Sequence, residues 1–280
     1  MHLIANEMAA GKSILTRLLA CVLCAFSLGA AAQTSVFLDD LTTAEVSSAL
    51  AGGRTTVIIP VGGTEQSGPH MALGKHNTRA RILSGRIATG LGNALVAPVL
   101  SYVPDGNVNP PTEHMRFAGT ISIPEAAFKS VLTGAANSLR QHGFTHSVLL
   151  GDHGGYQKAL KEVAAGLNRQ WAGTPARAHY LGEYYSATQT TYLQALKARG
   201  LSDAQIGTHA GLADTSLQLA LEPGMVRPGK LAAAAAGGRA GGTYGDPRAS
   251  SAELGQLGVD AIVSQSSAAV RRATGMAEIR

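Results

Sequence analysis

Residues 55–70 read Thr55-Thr56-Val57-Ile58-Ile59-Pro60-Val61-Gly62-Gly63-Thr64-Glu65-Gln66-Ser67-Gly68-Pro69-His70. The first seven are β-branched or apolar apart from one proline. They predict a short buried strand, and Gly62-Gly63 predicts a tight turn that delivers Glu65 just beyond the strand's carboxyl end. Outward from this stretch the same alternation repeats. Apolar residues at helical spacing (Ile82, Ile87, Leu91) predict a helix over 77–91, closed by Gly92. Residues 95–100 predict a second strand, and 104–119 a long aperiodic loop. A helix is expected from the favourable first-turn Pro124 to His142. Residues 147–150 predict a third strand, ending in Gly151-Asp152-His153-Gly154-Gly155. A helix to about Trp171 and a fourth strand over 176–181 follow. Helical patterns return at 188–199, 211–221 and 251–271, and the small, Gly-rich stretch 232–242 reads as a mobile loop. Strands alternating with helices predict an α/β fold whose parallel or mixed sheet is covered on both faces. In such sheets the active residues gather beyond the carboxyl ends of the strands. Glu65 and His153 are therefore expected to face one crevice.

The N-terminus reads as a targeting segment. Lys12 and Arg17 precede an apolar stretch, 18–29, and the small residues Ala30-Ala31-Ala32. This is the pattern of a secretory signal peptide, residues 1–32, cut before Gln33. An N-terminal anchor and a lipoprotein at Cys21 are the alternatives; the apolar run is short for the first, and most of it follows the cysteine, unlike the second. Both cysteines, Cys21 and Cys24, fall in this segment, so no disulfide or thiolate site is expected in the mature chain. Residues 33–280 are expected to form a single domain in the periplasm or secreted, without stable membrane association. The net charge of +5 comes with no cluster of five basic residues and only 5% aromatics, which argues against a nucleic-acid partner.

Four clusters could carry chemistry. Glu65, His70 and His76 place a carboxylate and two imidazoles within twelve residues, a ligand mix suited to zinc and neighbouring divalent ions. His153 stands between small residues, with open approach. His209 and Asp214 could share a helix start, where Asp214 could equally cap free amides. Glu113-His114-Met115-Arg116 places acid, imidazole and guanidinium in the long loop, and His114 there suits substrate contact. Each cluster also reads as ordinary loop polarity. There is no G-x-S-x-G elbow, no H-E-x-x-H and no phosphate loop. His142, His146 and His179 read as structural or surface residues.

In order, these segments resemble the creatininase family. The matching residues are Pro60-Val61-Gly62 with Glu65-Gln66 and Gly68-Pro69-His70; Glu113-His114 with Phe117 and Gly119-Thr120-Ile121-Ser122; His153-Gly154-Gly155; His209-Ala210-Gly211 with Thr215-Ser216; and Gly245-Asp246-Pro247 with Ala249-Ser250. The resemblance implies a three-layer α/β/α fold with a mostly parallel central sheet, a divalent-metal site, C–N bond hydrolysis in small, often cyclic amides, and a homo-oligomer. Departures stand out. Ser67 replaces a metal-ligating His, His76 replaces the Asp that bridges two metals, and Asp214 replaces a longer Glu. Gly155 stands where some members have a further Glu ligand.

With the bridge and a ligand gone, the resemblance leaves Glu65, His76 and His153 as the expected ligands of one ion per chain, zinc first, with Mn or Fe as substitutes. Asp214 is then expected to carry the proton from water to the leaving nitrogen, and His209 to orient it or stabilise the oxyanion. Ser67 is expected to hydrogen-bond the water. Two rivals remain: a catalytically impaired ligand-binding or assembly protein, and a metal-dependent lactone hydrolase.

Overall fold

The structure, a computed structural model, describes residues 35–277. The expected signal peptide lies outside the described residues. The elements run α1 (Thr43–Ala51), β1 (Thr56–Val61), α2 (Lys75–Leu91), β2 (Ala94–Val96), α3 (Glu125–Gln141), β3 (His146–Gly151), α4 (Gln157–Gln170), β4 (Arg177–Tyr180), α5 (Gly182–Gln189), α6 (Thr191–Lys197), α7 (Asp203–Ile206), α8 (Leu212–Leu221), α9 (Leu231–Gly237) and α10 (Ala252–Thr274). The four strands form one parallel sheet in the order β2-β1-β3-β4. Among the described residues no helix is long and apolar enough to cross a membrane.

Alternation along the strands sorts the helices into two layers. Val57, Ile59 and Leu149 pack with Phe128 and Leu132 of α3 and with Leu160 and Leu167 of α4. Ile58, Val148 and Leu150 point the other way, onto Leu83 and Ile87 of α2, Tyr184 of α5 and Val259 and Ile262 of α10. Both faces of the sheet are therefore covered, which explains strands that are apolar without interruption. Pro60 sits in the central strand without loss. Its carbonyl accepts from Leu100 on the β2 side, so its missing N–H faces a flank where β2 has already ended at Val96.

Three expectations need correction. The second strand is three residues long rather than six, because after Ala97 the chain leaves the ladder and returns only through a single bridge from Leu100 to Val61. The helix expected over 188–199 is two helices, broken where Thr190 takes φ −125° and ψ −84°. Residues 232–242 are not an irregular loop: Ala-rich α9 covers most of them, and a 3-10 turn over Gly238–Gly241 follows. Alanine's helix propensity outweighs the flanking glycines there.

β1 and β3 are neighbours, yet the chain moves outward from them in opposite directions, to β2 on one side and β4 on the other. That reversal opens a crevice at their carboxyl ends. The loops that follow these two strands carry Glu65 and His153.

Candidate metal centre and catalytic cavity

The loop after β1 is shaped by the close approach of α2. A Cβ on Gly62 would lie 2.8 Å from Asn77 Cα, so only glycine fits between strand and helix. Asn77 accepts the Gly63 N–H at 2.9 Å, and Glu65 N–H donates to Leu73 O at 3.1 Å. The loop after β3 is fastened to the first by Tyr156. This fully buried phenol accepts the His153 N–H at 3.1 Å and reaches the carbonyls of Val61 and Gly62. The side chains of Glu65 and His153, 88 positions apart, thereby meet at 3.3 Å, Oε2 to Nε2.

Glu65 is the hub. It is 1% exposed, and its Oε1 contacts His76 Nε2 at 2.7 Å, Lys75 Nζ at 3.5 Å and His209 Nδ1 at 3.6 Å. Its Oε2 is buried without a hydrogen-bond partner, although His153 and His114 (3.8 Å) stand near it. Glu65, Asp105, His114 and His153 each offer one ligand atom, all within 4.8 Å of one another. Two carboxylates and two imidazoles are a donor set for zinc or manganese. The charge state suits it too. Burial lowers the His153 imidazole to about 4 and that of His114 below its ordinary value, so both rings are neutral at neutral pH, with His153 Nδ1 accepting the Gly155 N–H at 3.2 Å. Burial and the neighbouring Glu65 charge push the Asp105 carboxyl up to about 7, because two carboxylates crowd each other there. An orphaned buried oxygen in such a cluster is what a metal would satisfy.

His76 stands differently. Its Nε2 faces Glu65 Oε1, and its Nδ1 faces Asp152 Oδ2 at 2.6 Å. Carboxylates only accept, so each contact calls for a proton on that nitrogen. Burial and Lys75 depress this imidazole, but Glu65 and the Asp152 hydrogen bond outweigh them and raise it above its ordinary value. Asp152 also accepts from Arg79 Nε at 2.8 Å and from the Tyr184 hydroxyl at 2.9 Å. Burial would raise this carboxyl, yet Arg79 and His76 hold it below the usual range.

Asp214, at the start of α8, binds Arg79 Nη1 at 2.8 Å, Lys75 Nζ at 3.1 Å and the Ala210 N–H at 2.8 Å. Burial is again outweighed, here by Lys75 and Arg79, and the carboxyl lies well below its usual range. His209 donates from Nε2 to Gln66 O at 3.0 Å; burial, then the Lys75 charge, lower it to about 3. The rings of His114 and His209 stack at 4.3 Å, with the Gln66 amide 2.8 Å from His114 Nδ1.

The structure thus brings Glu65, His76, His153, His114, His209 and Asp214 into one neighbourhood, and all but Glu65 line a cavity of about 300 Å³. Ser67 is not among its lining residues: it is fully buried, and its Oγ has no hydrogen-bond partner. Sequence reasoning missed Asp105, Lys75 and Arg79. None of the three carried a local signal, since each reads as ordinary turn or helix polarity. Tyr244, which also lines the cavity, had none.

Residues 39–270 match the family model for creatininase, creatinine amidohydrolase. The chain belongs to the creatininase family. It is 29% identical over 206 residues to creatinine amidohydrolase of Pseudomonas putida, covering 69% of this chain and 74% of that protein. A crystal structure of creatinine amidohydrolase superposes with TM-score 0.72 at 25% identity, covering 87% of this chain and 99% of the other. A mycofactocin precursor peptide peptidase of Mycolicibacterium smegmatis is 33% identical over 114 residues, 39% of this chain and 43% of that protein. Two further creatininase structures, each 25% identical with TM-score 0.70, are described as the Zn–Zn type and the Mn form; they cover 86% of this chain and 98% and 99% of theirs. The protein is a hydrolase of this family, an amidohydrolase, and the family's zinc and manganese structures together with its own donor cluster support a divalent metal.

Proposed function

We propose that the protein hydrolyses the C–N bond of a small, cyclic amide, using one divalent ion held by Glu65, Asp105, His114 and His153. The observation that carries this reading is the buried, unpartnered Glu65 Oε2 with two neutral imidazoles and a second carboxyl beside it. Glu65, Asp105, His114 and His153 would hold the ion, which would supply Lewis-acid chemistry for activating water and polarising a carbonyl. In this reading His76 moves from ligand to support, because both ring nitrogens are committed to carboxylates. His114 moves from substrate contact to ligand.

Asp214 lines the cavity with its charge fixed by Lys75 and Arg79. So held, it is a weak base but a strong acceptor, suited to fix a substrate N–H. His209, lowered to about 3, is an equally weak base; held at the Gln66 carbonyl through Nε2, it is suited to positioning rather than to proton relay. The cavity size favours a small molecule. A short peptide is the second substrate class, supported by the likeness to the mycofactocin precursor peptide peptidases. We also carry forward export, from the pattern over residues 1–32, and a homo-oligomer; N-terminal sequencing of the exported protein should start at Gln33, and light scattering should give a multiple of the chain mass.

The test is a panel of cyclic amides including creatinine, a lactone and short peptides, run on purified protein before and after chelation. Amide hydrolysis that is lost on chelation and restored by Zn²⁺ or Mn²⁺ supports the reading. Amide hydrolysis that survives complete metal removal contradicts it.

A further inference from the structure

Lys75 opens α2 with its side chain turned into the protein, and the residue has no exposed surface. Its ammonium lies 3.1 Å from Asp214 Oδ2 and 3.5 Å from Glu65 Oε1, so it joins carboxylates from two distant segments. One turn on, Arg79, 4% exposed, joins Asp214 to Asp152. Burying a cation costs several kcal/mol before pairing, and a methionine of similar length would fill the same space without that cost. A charge kept in such a place is there for its charge. Glu65, Asp105, Asp152 and Asp214 form one carboxylate network around the cavity. Lys75 and Arg79 offset two of these charges. Even with every histidine neutral, what remains is at most the charge of one divalent ion.

We propose that Lys75 is a built-in cation that takes over the charge of a second metal ion. Each chain then binds a single divalent ion, unlike the relative described as the Zn–Zn type. Lys75 is a positioning residue: its ammonium holds Glu65 Oε1 and Asp214 in place and leaves Glu65 Oε2 for the metal. This rests on the metal reading above. Without the ammonium, Glu65 Oε1 and Asp214 Oδ2 would face the vacated space with two carboxylate oxygens of the kind divalent ions take.

The experiment is titration of the metal-stripped full chain with Mn²⁺ and with Zn²⁺, reading bound equivalents and the rise in melting temperature. Wild type and Lys75→Arg should saturate at a single equivalent. Lys75→Ala should take a second equivalent, with a further rise in melting temperature as it binds. Two equivalents in wild type, or a Lys75→Ala protein that folds and stops at one, overturn the proposal. Where Lys75→Ala does not fold, Lys75→Gln carries the test: it should take a second equivalent, and stopping at one overturns the proposal. No metal bound by wild type would instead overturn the metal reading on which the proposal stands.

Discussion

The polar cluster beside the cavity has two sides built from the same kinds of residue and left in opposite states. On the side of α2 and α8, the Asp152 and Asp214 carboxylates and the nitrogens of Lys75, His76 and Arg79 are paired within the protein. On the side of the β1, β2 and β3 loops, Glu65 Oε2 is unpaired and Asp105 is crowded against it. A saturated network holds shape, whereas an unsaturated one awaits a ligand. Glu65 belongs to both, with Oε1 in the first and Oε2 in the second.

The sharpest way to break this contrast is at Glu65. Glu65→Gln should abolish stable metal binding and turnover, a larger loss than the ~10–100-fold affinity cost of losing a supporting partner; metal analysis and the amide assay read it. Asp152→Asn attacks the saturated side. It leaves Arg79 with half its pairing and should cost about 3–5 kcal/mol of stability by denaturant unfolding, while a metal equivalent still binds.

Asp105 sharpens the contrast through pH. Its folded carboxyl, at about 7, lies above its ordinary value of 3.8. The metal-free fold is therefore helped by the protonated form, and this contribution is lost as pH rises from about 4 to 7. Above pH 7 the metal-free Asp105→Asn protein should exceed wild type by on the order of 2 kcal/mol. Metal binding runs the other way. It displaces that proton, so wild-type affinity should fall as pH drops through about 7, and Asp105→Asn should flatten the dependence. Thermal melts and metal titrations across pH read both. An effect of similar size is expected at Tyr156. Tyr156→Phe removes the hydroxyl between the two loops and should cost about 1–3 kcal/mol, with metal affinity reduced rather than lost.

What the sequence made legible follows from which signals are local. The β-branched runs with their glycine turns located β1, β3, Glu65 and His153, because strand and turn chemistry are written in adjacent residues. Asp105 was hidden because Pro104-Asp105-Gly106 reads as an ordinary turn, and only tertiary folding brings it to Glu65. Lys75 and Arg79 were hidden because a polar first helical turn reads as a solvated one. Here α2 starts over the crevice, so the turn that would face water in most helices faces carboxylates instead. His76 was expected as a metal ligand with Glu65; it lies 2.7 Å from that carboxylate, and its other partner, Asp152, 76 positions away, carries no sequence signal.

The most direct measurement is anomalous diffraction at the zinc edge from crystals of metal-loaded protein. The account predicts one peak per chain, ~2.0–2.2 Å from Glu65, Asp105, His114 and His153, with His76 still between Glu65 and Asp152. A peak ligated by His76, or two peaks per chain, would contradict it.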